Sequence, residues 1–140
     1  MWILDTDHLT ILERGGSSAF AVQLRLDQVP TSEIGTTIIN YEEQMRGWLS
    51  HAAKAKALIQ MREAYALLEE HIGTFQDLAI LSFDVKATDQ FDILRRAQIR
   101  IGAQDLRIAA VCLANKATLL SRNLKDFRQV PGLNVEDWSQ

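Results

Sequence analysis

Short apolar runs rich in β-branched residues alternate along this chain with longer stretches in which apolar side chains recur every three or four positions. Trp2 to Leu4, Thr36 to Ile39, Ala79 to Phe83 and Thr118 to Ser121 read as short interior strands, with a weaker candidate at Leu133 to Val135. Helical spacing fills the gaps. Leu58, Met61, Tyr65, Leu68 and Ile72 draw one apolar stripe along a helix, and EEQMRGWLSHAAKAKAL begins an earlier one with room for a bend at Gly47. FDVKATDQFDILRRAQIRIG reads as strand exit, amphipathic helix and a terminating Gly102. In AQDLRIAAVCLANKA the segment from Leu106 to Ala114 is apolar on nearly every face, the mark of a buried helix. Strands alternating with helices predict an α/β sandwich around a central, mostly parallel sheet. No repeat or linker interrupts the pattern, and Pro30 and Pro131 fall in loops, so residues 1–140 read as one domain.

A chain of 140 residues with 47% hydrophobic content is ample for a single core. Fifteen Lys and Arg against eighteen Asp and Glu give a net charge of −3, so this is no polycation and any contact with nucleic acid is local. Cys112, the lone cysteine, has no partner for an intramolecular disulfide and reads as a core thiol. No basic segment leads into a long apolar one, and no apolar run approaches the roughly 18 residues of a spanning helix, so a cytoplasmic protein without a membrane partner is expected.

The chemistry lies where apolar runs stop. WILDTD turns polar abruptly at Asp5; either Thr6 or Asp7 caps a following helix, or a carboxylate is held at a strand end to bind something positive. Glu42 and Glu43 follow the second strand, Asp105 opens the buried helix, and Asn123 and Asp126 follow TLLS. In an open parallel sheet the carboxyl ends of the strands share one edge, and ligands collect where strand order reverses. Carboxylates gathered there repel one another unless a cation intervenes. Mg²⁺ or Mn²⁺ suits an all-oxygen set; zinc is poorly served by one cysteine and the scattered His8, His51 and His71. Each acid also has a plainer role. Asp105 can be a first-turn acid, Asn123 with Asp126 a capping box, and one of Glu42 and Glu43 a surface acid.

Three stretches together, ILDTDHLTIL, TTIINYEEQMRGWL and GAQDLRIAAVCLANKATLLSRNLKDFRQVPGLNVEDW, resemble the PIN-domain ribonucleases, specifically the VapC-type toxins of bacterial toxin–antitoxin pairs. The resemblance runs end to end and is strongest at the C-terminal side; residues 50–77 carry little of it. It implies a PIN-like three-layer sandwich and metal-dependent endoribonuclease activity. The family's first acid, in its LDT motif, falls on Asp5; its glutamate four residues before a glycine falls on Glu43, with Gly47 giving the register; its third acid, before IAA, falls on Asp105. The fourth stands in some members where this chain has the amide Asn123, which shifts the expectation to Asp126, with Asn123 as a polar partner. Ser121 keeps the hydroxyl of a common threonine, and Thr6 and Glu42 are the remaining polar neighbours. On this reading Asp5 and Asp105 hold Mg²⁺ (or Mn²⁺) and Glu43 orients water. Arg107, Arg122, Lys125 and Arg128 either contact RNA phosphates or form a solvated face. His8, following the first acids, either touches substrate or, as expected, lies at the surface. The implied partners are substrate RNA, a second copy in a homodimer, and an antitoxin laid across the site. The apolar stripe from Leu58 to Ile72 serves either that interface or internal packing, and Trp48 is a candidate anchor.

Two other classes compete. DTD matches the D-x-D of a haloacid-dehalogenase-type phosphatase, with Asp5 as nucleophile, Asp7 as acid/base and Ser121 binding phosphate. That mechanism needs a lysine and then a further acidic pair, and after Lys125 and Asp126 only Glu136 and Asp137 remain. The other is a catalytically silent PIN-fold binding module, which retention of four polar site positions disfavours. No phosphate-cradling glycine pattern is present.

Overall fold

The computed structural model describes residues 1–140. Strands β1 (Trp2–Leu4), β2 (Ile34–Thr37), β3 (Ala79–Leu81), β4 (Thr118–Leu120) and β5 (Asn134–Glu136) pair in the order β3-β2-β1-β4-β5, every pair parallel. Around them lie α1 (Thr6–Arg14), α2 (Ser17–Leu26), α3 (Ile38–Lys54), α4 (Leu58–Gln76), α5 (Val85–Arg96), α6 (Ala103–Ala114) and the single turn α7 (Leu124–Phe127). The two-residue period of a strand divides the core. Ile3 and Leu119 pack with Leu94 of α5 and Leu106, Ile108 and Ala109 of α6; Leu4 and Leu120 pack on the other face with Leu9, Val22, Leu26, Phe75 and Trp138. The result is three layers, helix on sheet on helix, as the alternating pattern predicts. Chain order runs outward from β1 to β3 and then returns to β4 on the other flank of β1, so the switch point lies between β1 and β4.

Several boundaries differ from the sequence reading, for identifiable reasons. The run Thr36 to Ile39 is half strand and half helix. Thr37 caps α3: its Oγ1 accepts the Asn40 amide (3.2 Å) while its hydroxyl donates to Asn40 Oδ1 (2.7 Å). Strands β3 and β4 stop at Leu81 and Leu120, short of Phe83 and Ser121, and β5 lies one residue later than expected. Helix α5 is ended by Gln98, which takes the left-handed conformation (φ 58°), whereas Gly102 stands at the N-cap of α6. Gly47 lies inside α3, which continues unbroken to Lys54. Gly35 has a stricter role, since a Cβ there would stand 2.6 Å from Ala79 O on the neighbouring strand.

The stripe on α4 is not core. Leu58, Tyr65 and Ile72 are 84%, 63% and 60% exposed, and the helix turns Ala64, His71 and Phe75 inward instead. Trp48 does not project as an anchor; it is half-buried, with its ring 4.1 Å from that of His71 and its Nε1 donating to Gln44 (3.2 Å). Cys112 is fully buried, and burial pushes its thiol pKa up. No helix is long and apolar enough to cross a membrane.

Candidate functional site

The chain leaves β1 and enters α1 with no loop between. Asp5 occupies the N-cap position, its backbone still extended (φ −75°, ψ 166°) and its amide donating to Leu120 O of β4 (3.0 Å). Its carboxylate makes no capping bond, and neither Thr6 nor Asp7 caps the helix. The side chain is spent on other partners: Oδ1 accepts from Asn40 Nδ2 (2.7 Å) and Oδ2 from the Ser121 hydroxyl (2.8 Å), both partners fully buried. Burial first, and then the charge of Asp7, raise the Asp5 pKa to about 6, against the hydrogen bonds from Ser121, the Thr6 amide and Asn40.

From Asp5 the polar network spreads along the sheet edge. Asn40 Nδ2 also reaches Thr6 Oγ1 (3.1 Å), and the Thr6 hydroxyl donates to Glu43 Oε2 (2.9 Å). Glu43 Oε1 is buried and has no hydrogen-bond partner. Burial raises the Glu43 pKa, as do the charges of Asp105 and Glu42, while Thr6 opposes the shift. Asp105, in the first turn of α6, is raised by burial and by the charges of Asp126 and Asp7. Asn123 bridges the two acids that face it, its Nδ2 lying 3.3 Å from Asp105 Oδ2 and 3.0 Å from Asp126 Oδ2. Because that amide donates to Asp126, the capping-box reading of this pair is not realised.

Asp5, Thr6, Glu43, Asp105, Ser121, Asn123 and Asp126 thus form one connected neighbourhood at the carboxyl edge of the sheet. Glu42 stays apart. It is exposed, accepting from Gln104 (3.0 Å) and Arg46 (2.8 Å), and the Gln104 hydrogen bond, ahead of the nearby arginines, lowers its pKa. Arg107 donates to Gln104 and lies over the Phe91 ring at the rim, whereas Arg122, Lys125 and Arg128 are exposed between β4 and the residue that follows α7.

Three neighbours escape the sequence reading or take another place than expected. Asn40 is the hub of the network, and its only signal is the three-residue spacing from the Thr37 cap. Asp7 points back toward the edge, accepting at Oδ2 from the Arg122 amide (3.0 Å), with the Ser121 hydroxyl oxygen 3.3 Å away. His8, expected at the surface, is fully buried.

The donor set fits a hard divalent cation. All of its atoms are oxygens or amides, none of Asp5, Glu43, Asp105 or Asp126 pairs with a lysine or arginine, and the orphaned Glu43 Oε1 is a free acceptor. As the side chains lie, no three of the acids close upon a common point at ligating distance. A cavity of about 560 Å³ between α1, α3 and α4, lined by Glu13, Trp48 and His71 among others, belongs to a different part of the molecule. There Glu13 Oε1 lies 3.2 Å from His71 Nδ1 but out of hydrogen-bonding line, so that ring nitrogen has no partner.

No family model matches the chain. It is 36% identical over 67 residues to Ribonuclease VapC2 of Rickettsia felis, a match spanning 45% of this chain and half the length of that protein. Among solved structures it is similar to a chain of VapBC2 from Rickettsia felis bound to a DNA fragment from their promoter, at 24% identity and a TM-score of 0.72, covering 98% of each chain. It is likewise similar to a chain of DNA-bound VapBC from Salmonella typhimurium, at 24% identity and a TM-score of 0.71, covering 98% of this chain and 97% of the other. FitAcB from Neisseria gonorrhoeae gives 21% identity and a TM-score of 0.75, over 98% of this chain and 97% of that one. The resemblance read from the sequence motifs is borne out by these likenesses, and the fold is the PIN-like α/β sandwich it implied.

Proposed function

We propose that this protein is a divalent-metal-dependent endoribonuclease, the toxin of a toxin–antitoxin pair. The observation that carries the reading is the crowding of Asp5, Glu43, Asp105 and Asp126 at the β1/β4 switch point, each of the first three with its pKa raised. Similarity to a protein named as a ribonuclease supports the reaction class, and similarity to complexes named VapBC supports an antitoxin as partner.

Asp5 and Asp105 are the residues that would hold Mg²⁺ or Mn²⁺. When bound, the ion supplies Lewis-acid chemistry, polarising a phosphodiester and favouring ionisation of water. The remaining tasks fall to the chain. Asn40 and Ser121 fix both oxygens of Asp5, so the carboxylate is preorganised. Thr6 holds Glu43 by Oε2 and leaves Oε1 to take a proton from an attacking water. Asn123 keeps Asp126 alongside Asp105, where it adds negative charge, and Arg107, Arg122, Lys125 and Arg128 meet the RNA backbone. Glu42 serves the rim through Gln104. A homodimer and cytoplasmic action belong to the same reading, and the exposed stripe on α4 is available to a protein partner.

The phosphatase reading loses support at Lys125, which is exposed on α7 and pairs with none of the site's acids. The test compares wild type, Asp5→Asn and Asp105→Asn on structured RNAs, with Mg²⁺ or with chelator. Cleavage is expected only from wild type with metal. Equal cutting by all three proteins would refute the assignment.

A further inference from the structure

His8 is fully buried beside the proposed site, with a hydrogen bond at each ring nitrogen. The Trp138 backbone amide lies 3.2 Å from Nε2. A backbone N–H can only donate, so Nε2 must offer a lone pair, and the proton of the neutral ring sits on Nδ1. Nδ1 in turn lies 2.7 Å from Asp7 Oδ1. The other nearby acid, Asp137, is 3.7 Å from Nε2 and turned toward the Ser139 amide and hydroxyl (2.8 and 2.6 Å). Trp138 is itself pinned, its ring 4.8 Å from that of Trp2 and its Nε1 donating to Glu136 Oε2 (2.7 Å). The tautomer of His8 is therefore dictated from the C-terminal side of the sheet.

Asp7 is held at both oxygens, Oδ1 by His8 and Oδ2 by the Arg122 amide, while the Ser121 hydroxyl, whose proton goes to the nearer Asp5 Oδ2, lies 3.3 Å away. Its side chain remains 32% exposed, and its charge bears on both Asp5 and Asp105. A carboxylate fixed by a donor at each oxygen and lying among the acids of the switch point has the surroundings of a group facing the cation, directly or through water. A buried histidine that donates to such a carboxylate from behind is the arrangement by which outer partners orient charged groups around a metal.

We propose that His8 is a positioning residue: its Nδ1–H, fixed by the Trp138 amide on Nε2, holds Asp7 in the acid cluster as a further carboxylate facing the divalent cation. The inference rests on the nuclease reading and deepens it.

Two measurements test it. Long-range ¹⁵N–¹H correlation spectra of the wild-type protein report which nitrogen of His8 carries the proton; the Nδ1–H form is expected, and the Nε2–H form would overturn the proposal without any variant having to fold. Calorimetric titration with Mn²⁺ then compares wild type with His8→Asn, His8→Gln and His8→Leu. Asn keeps a donor near the Nδ1 position and should bind within about threefold of wild type. Gln and Leu lose that donor and should bind about tenfold more weakly or worse. Equal affinity in all four proteins overturns the role of His8, as does equal weakening of all three variants, which marks a packing role. Wild type that binds no Mn²⁺ overturns the nuclease reading, and with it the task given to Asp7, a failure distinct from the other two.

Discussion

Asp5 carries its charge where burial makes charge costly. Burial raises its carboxyl pKa from the ordinary 3.8 to about 6. Between those values the native state holds more protons than the unfolded chain, so the contribution of Asp5 to stability is fully present below pH 4 and is lost as pH rises through 6. Glu43 and Asp105 are displaced in the same direction. In chelator, urea unfolding should therefore show stability falling from pH 4 to pH 7, by about 3 kcal/mol from Asp5. Asp5→Asn should flatten that profile, and added Mg²⁺ should restore stability to wild type at pH 7. His71, whose pKa burial lowers, contributes in the opposite sense to both proteins, so an equal slope for wild type and Asp5→Asn over this window would contradict the assignment. Asn40 makes a second test at this scale. Asn40→Ala leaves Asp5 Oδ1 and the Thr37 hydroxyl without their buried partner, and should cost about 2 kcal/mol in denaturant unfolding as well as RNA cleavage.

At the scale of elements, the sequence made strands and helices legible wherever side chains meet a core of the matching period. Ile3 and Leu4 and the helix around Cys112 are buried as their apolar runs indicate. The failures lie where the deciding contact is between backbone and side chain. Thr36 to Ile39 is β-branched or apolar throughout, and only the Thr37 hydroxyl bonding back to Asn40 turns the chain into α3. The stripe on α4 has helical spacing, yet periodicity does not tell an internal face from an external one when a second face, Ala64, His71 and Phe75, is also available. The acids at strand ends were legible because topology alone places them on one edge; Asn40 and His8 were not, because their partners are set by three-dimensional packing. The two tightly judged glycines give opposite expectations. A Cβ at Gly47 meets nothing within 4 Å on the exposed side of α3, so Gly47→Ala should stabilise by about 0.5–1 kcal/mol and leave cleavage unchanged. At Gly35 alanine must displace β3, and thermal unfolding should show a loss of roughly 2 kcal/mol or more.

For the whole molecule, a net charge of −3 and the proposed RNA substrate are reconciled by position rather than by total. Arg122, Lys125 and Arg128 are exposed next to the acid edge, where the backbone of a single strand can be met locally. In an Asp5→Asn background that does not cut, replacing all three by alanine should lower the slope of log affinity against log salt by about 2, since each phosphate contact on a single strand contributes about 0.7. An unchanged slope would move the RNA path to another face.

Everything at the larger scales depends on a divalent ion sitting among the acids of β1 and α6. Anomalous diffraction from crystals soaked in Mn²⁺ addresses this directly: a peak beside the carboxylates of Asp5 and Asp105, absent from Asp105→Asn crystals, is the predicted result. A map with no peak at that edge, or with Mn²⁺ bound only elsewhere while RNA is still cleaved, would contradict it.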